Sequence, residues 1–155
     1  MKIGVVNVVR LLEESPQSKA VNAALQDEFA PRQRELQAME RELQEKQEMF
    51  RRDASVMGEE ERLNLEREIR DGQRDFQRAQ NEALEDWNIR LNEERGKLNR
   101  ILLQQVQQYA RAEDYDLVVA DALYFSDAVD ITSEVLEELK KQSATTSRSG
   151  SGSSQ

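Results

Sequence analysis

The chain has 155 residues, 37% hydrophobic and 34% charged, with 31 acids against 22 bases and a formal charge of −9. So small and evenly spread an apolar share excludes one large globular core, which at this length would bury roughly 70% of the unfolded surface. Histidine and cysteine are both absent, which removes the commonest general base, the tunable thiolate and the usual transition-metal ligands.

Residues 2–9 read Lys-Ile-Gly-Val-Val-Asn-Val-Val, a β-branched run that predicts a strand ending where Arg10, Leu11 and Leu12 begin a turn or helix. No signal peptide is visible at Met1-Lys2, and a processed one would leave no trace. Ser15 before Pro16 supplies an N-cap followed by proline at the first helical position, so a long helix is expected to start there. Leu25, Phe29, Leu36, Met39, Leu43, Phe50 and Met57 then recur on steps of three and four, with Arg32, Lys46 and Asp53 at the skipped positions. A stripe so interrupted makes a weak seam, because helix pairing is driven by burial at these positions. Pro31 removes a backbone donor inside the span and predicts a kink over residues 29–32.

Gly58 follows Met57 and precedes Glu59, Glu60 and Glu61. Glycine reaches the left-handed helix-ending conformation freely, and acids suit the start of a new helix, so the chain is expected to turn back here. The second helix carries Leu65, Ile69, Gly72, Phe76, Ala79 and Ala83, then Trp87, Leu91, Glu94, Leu98, Ile101 and Gln105, with a stutter between Phe76 and Glu94 that locally unwinds a supercoil. Its densest bases, Arg62, Arg67, Arg70, Arg74 and Arg78, are interleaved with Glu66, Glu68, Asp71 and Asp75. That is a solvated helix face with intrahelical pairs, not the basic stripe that phosphates require, so no nucleic-acid partner is expected. Residues 116–120 (Asp-Leu-Val-Val-Ala) and 123–125 (Leu-Tyr-Phe) predict two further strands. Asp130 is expected to cap a short helix with Ile131, Val135, Leu136 and Leu139 on one face, and residues 143–155, without an apolar side chain apart from Ala144, to be disordered.

The expected fold class is α+β and mostly α: a small β-body from residues 1–20 and 110–141, and a long antiparallel coiled-coil hairpin over residues 21–109 with its tip near Gly58. Three strands and one helix bury too little to stand alone, so association through Val5, Val6, Val8, Leu117, Val118 and Val119 is expected. A weak seam bends easily, and Met49, Val56, Met57, Leu63 and Leu84 around it are candidates for loose apolar contact with a partner chain. No apolar run approaches the ~18 to 20 residues of a membrane span, so no stable insertion is expected. Acids are abundant enough for chance pairs everywhere, and with no apolar pocket to raise a pKa the chain is expected to be no enzyme and to need no cofactor or metal.

The segment Asn92-Glu93-Glu94-Arg95-Gly96-Lys97-Leu98, then Asp116-Leu117-Val118-Val119, Tyr124, Asp130-Ile131-Thr132 and Val135-Leu136, resembles the carboxyl-terminal half of the Skp (OmpH-like) family, and residues 3–7 are similar too. The resemblance covers residues 2–141 in order of elements. It implies a homotrimer with three helical arms, acting in the periplasm after removal of a signal peptide. There it would work as an ATP-independent holdase that cages unfolded outer-membrane proteins. Gly96-Lys97 is followed by leucine in mid-helix, so no nucleotide loop is present. Familiar members have cationic arm tips, whereas residues 46–78 here hold eight bases against nine acids, so binding of lipopolysaccharide or an anionic membrane does not carry over. The alternative reading is a coiled-coil spacer or scaffold dimer with its helices in one continuous rod.

Overall fold

The computed structural model describes residues 1–149. Strand β1 (Ile3–Val6) leads into helix α1 (Val8–Glu14), α2 (Pro16–Asp53), α3 (Glu59–Ala112), strand β2 (Leu117–Ala120), a short 3-10 turn (Asp127–Val129) and α4 (Thr132–Ser149). Two compact units result: residues 1–24 with 92–149, and residues 25–91.

In the first unit β1 and β2 pair in parallel, Ile3 opposite Leu117 and Val6 opposite Ala120. Parallel neighbours need a long connection between them, and here the entire helical excursion supplies it. A third strand was expected at residues 123–125, but the other side of β1 meets only an isolated bridge from Val5 to Asp130. Leu123 and Tyr124 lie outside any strand and are almost fully exposed. The first strand stops at Val6, because the Asn7 side chain accepts from the Arg10 amide and caps α1.

The core of this unit is one cluster of Val6, Leu11, Leu98, Leu102, Ile131, Val135, Leu136 and Leu139. Residues 92–112 belong to the body because Leu98, Leu102 and Val106 pack there. Leu102 is buried while Ile101, expected on the seam, is exposed, so the register steps by four after Leu98. α3 ends where Asp114 takes a left-handed conformation, φ 56°, with the Tyr115 amide donating back to the Ala110 carbonyl at 2.9 Å.

Ser15 caps α2 as expected: its buried hydroxyl accepts from the Ser18 amide at 3.2 Å. α2 runs unbroken through Pro31. It ends at Asp53, four residues before the expected end, and Gly58 has no positive φ. The Gly58 carbonyl instead accepts from the Arg62 amide at 2.9 Å, so this glycine opens α3 as its N-cap rather than closing α2. α4 extends to Ser149, so residues 143–149 are helical where disorder was expected. Thr145, Thr146 and Ser147 hydroxyls donate to carbonyls four residues back, which satisfies those side chains within the helix. The rest of that expectation, residues 150–155, lies outside the described residues.

Thr132 ties the two ends of the body together. Its hydroxyl is fully buried, accepts from the Asn7 amide at 3.0 Å and donates to the Asp130 carboxylate, which also accepts from the Thr132 amide at 3.0 Å. Thr132→Val leaves the Asn7 amide without its acceptor and is expected to cost about 1 to 3 kcal/mol, whereas Thr132→Ser keeps it; urea unfolding of both variants checks this. The Thr132 hydroxyl and then its amide, helped by Arg10, hold the Asp130 carboxyl below the usual carboxylate range. A carboxylate depressed on folding stabilises above its unfolded pKa, and that contribution is lost as pH falls through the folded value. Asp130→Asn is therefore expected to flatten the acid limb of the stability curve below about pH 4, measurable by thermal unfolding across pH 2 to 7.

Candidate functional site

Residues 25–91 form an antiparallel helical hairpin, because the cross-helix contacts pair rising with falling positions. Glu28 meets Arg90 at 3.1 Å, Arg32 pairs with Asp86, Phe29 packs edge-on against Trp87 at 5.2 Å, and Lys46 reaches Glu68 at 3.8 Å. A Cβ on Gly72 would stand 3.2 Å from the Leu43 side chain. Leu43 and Gly72 of one chain thus touch, which excludes the continuous rod.

The seam is thin. Only Leu25 and Leu65 in this unit are buried, while Phe29, Leu36, Met39, Leu43, Phe50 and Ile69 remain partly open to water. Charged side chains flank the apolar row, and Lys46 sits between Glu42 and Glu68 at 3.3 and 3.8 Å. Exposed pairs of this kind add about 0 to 1 kcal/mol each, so little holds the two helices together and local opening has a low free energy.

Four of the five residues singled out for loose apolar contact are exposed: Met49 at 43%, Leu63 at 47%, Leu84 at 61% and Val56 at 82%, with Met57 half-buried. The structure does not bring all five together. Met49 and Met57 line one groove with Gly58 and Leu65, and Leu84 lines another with Phe29, Leu36 and Trp87. Ile89, half exposed on the same hairpin, escaped the sequence reading because its position matches neither the seam nor a turn.

In the body, Val5 and Val6 are buried inside the chain's own core, and Val8, Val118 and Val119 are half-buried. Of the residues expected to associate, Leu117 alone is well exposed, and it is accompanied by Ile3, Leu123 and Tyr124. Among the described residues β2 has a partner on one side only, so its outer edge presents free backbone donors and acceptors.

No group of His, Cys, Asp or Glu among the described residues is placed to hold a metal. No described helix is long and apolar enough to cross a membrane. Tyr109 has its hydroxyl pushed up chiefly by burial, beside Tyr115; it is half-buried and packs against the core cluster.

Residues 2–139 match the family model described as Outer membrane protein (OmpH-like). The chain is 36% identical over 141 residues to Chaperone protein Skp of Pectobacterium atrosepticum and 42% identical to that of Yersinia pseudotuberculosis, covering 90% of this chain and 86% of the relative in each case. The Skp protein of Escherichia coli K12 is 35% identical over 142 residues. The crystal structure of an OmpH-like outer membrane chaperone from Caulobacter crescentus superposes with a TM-score of 0.77 at 15% identity, over 91% of this chain and 85% of that one, which shows a shared fold.

Proposed function

The chain belongs to the OmpH-like family, and on that premise we propose that it is a periplasmic, ATP-independent holdase that keeps unfolded outer-membrane proteins from aggregating. One observation beyond kinship carries the reading: a hairpin with two buried seam residues and several large exposed apolar side chains. A chain built for its own stability would bury those side chains; one built to touch varied, unfolded partners weakly leaves them available.

Association of copies is the second part of the proposal. The body offers the exposed Leu117, Ile3, Leu123 and Tyr124 and an open edge of β2, and a two-stranded sheet is marginal alone. A homotrimer, as the family resemblance implies, would cover that edge and carry three hairpins around one space, with Met49, Val56, Met57, Leu63 and Leu84 as weak client contacts. Mass in solution tests the assembly: three chains are expected, and Leu117→Glu is expected to shift the mass toward one chain by placing a charge on the edge. Retention of a urea-unfolded β-barrel tests the holdase reading: on dilution without nucleotide the client should stay soluble, and light scattering that rises as fast as in buffer across several such clients removes the reading.

A further inference from the structure

Two grooves flank the hairpin near Gly58, and their charges are opposite. One is lined by Met49, Met57 and Leu65 with Glu60, Glu61 and Glu68. Its neighbour toward the body shares Glu68 and adds Asp71 and Asp75, and the one cation there, Lys46, is already taken by Glu42 and Glu68. The other groove has an apolar floor of Phe50 and Ile69, with Arg51, Arg70, Gln47 and Glu66 around it. Glu66 is engaged by Arg62 at 3.7 Å. No ion pair joins Arg51 or Arg70 to any residue among those described, so two guanidiniums border an apolar floor with no carboxylate of their own.

The grooves face opposite ways. Met49 and Arg51 are two positions apart on α2, and Glu68 and Arg70 two apart on α3, which turns each pair through roughly 200° about its helix. The two faces therefore cannot meet within one chain. They can meet between copies, acidic and methionine-lined on one hairpin, basic and aromatic on the next. A contact that joins unlike faces repeats from copy to copy and closes into a ring when the rotation allows.

We propose that the Arg51 and Arg70 flank of one hairpin docks on the Glu61 and Glu68 flank of a second copy's hairpin, so that the tips of an empty assembly clasp one another. This rests on the proposed assembly of copies through the body and adds a regulated entrance to it. Exposed ion pairs are individually weak and screened by salt, so the clasp opens readily, and a client that covers Met49, Met57 or Phe50 competes with it directly.

The chain has no cysteine, which makes the test clean. Gln47→Cys and Asn64→Cys place one thiol on each flank of the full chain. With both present, mild oxidation at low ionic strength is expected to link chains, at least about fivefold more than either single variant, and 0.5 M salt to abolish the excess. Arg51→Glu with Arg70→Glu should remove the link, and adding Glu61→Arg with Glu68→Arg should restore it. In an assembly of confirmed multi-chain mass, a double variant that links no better than the single ones, or a link indifferent to salt and to charge reversal, overturns the clasp and leaves the holdase reading standing. Charge reversal that spares the link while abolishing client retention overturns it too, by assigning the arginine groove to the client. A single-chain mass removes the assembly on which both rest.

Discussion

Leu139→Ala is expected to lower the unfolding free energy by about 3 kcal/mol, within the range of about 2 to 5 for leucine truncation in a well-packed core. Leu139 is completely buried in the cluster that joins β1, α1, α3 and α4, and its carbonyl also accepts from the Gln17 side chain at 2.9 Å. Elements from both ends of the chain converge there, so the cavity has no single flexible wall that could collapse into it. Urea denaturation followed by circular dichroism measures the loss, and Leu139→Met, which conserves volume, is expected to cost under about 1.5 kcal/mol. In the hairpin, Ala substitution of the half-buried Leu36 should cost visibly less, because the side chain already meets water.

Gly4→Val is the second large effect, and its cause is steric. A Cβ at Gly4 would stand 2.7 Å from Ile131 Cδ1 and 3.1 Å from the Tyr115 ring. Gly4 has no positive φ, so the backbone itself would accept a side chain; only the neighbours forbid it. Ile131 is buried and its amide donates to the Val5 carbonyl at 3.0 Å, which fixes the segment against β1. Alanine is expected to cost about 1 to 3 kcal/mol and valine more, enough to loosen β1 from the 130–131 segment. Gly58→Ala serves as the contrast: nothing lies within 4 Å of a Cβ there, and the change is expected to stay within about 1 kcal/mol. Thermal unfolding of the three variants ranks the two glycines.

What the sequence made legible followed from local chemistry. Ser15-Pro16 marked the start of α2, the interrupted apolar row marked a weak seam, and the break between Asp53 and Glu59 could be seen in Gly58 and the three glutamates after it. Errors arose where several local solutions compete. Val8 and Val9 favour a strand on propensity, but the Asn7 cap claimed them for a helix. Leu-Tyr-Phe at residues 123–125 has strand-like side chains, yet within one chain no partner edge reaches it. Residues 143–149 have no apolar side chain but Ala144, and they continue the helix of α4, where Val135 and Leu139 are anchored in the core. The exposure of Met49, Val56, Leu63 and Leu84 was legible, because they stand off the seam. The division of such side chains between separate grooves was not, since that depends on which flank of each helix a side chain occupies once the two helices have paired.

The assembled chain is expected to hold an unfolded outer-membrane barrel in solution by enclosing it, without nucleotide. The direct measurement is a titration of a urea-unfolded β-barrel with the intact protein, following light scattering on dilution and the mass of the soluble complex. Scattering is expected to vanish at three chains per client, with one complex of that composition. Scattering unchanged by excess protein, or protection complete at one chain per client, would rule out enclosure by an assembly of three.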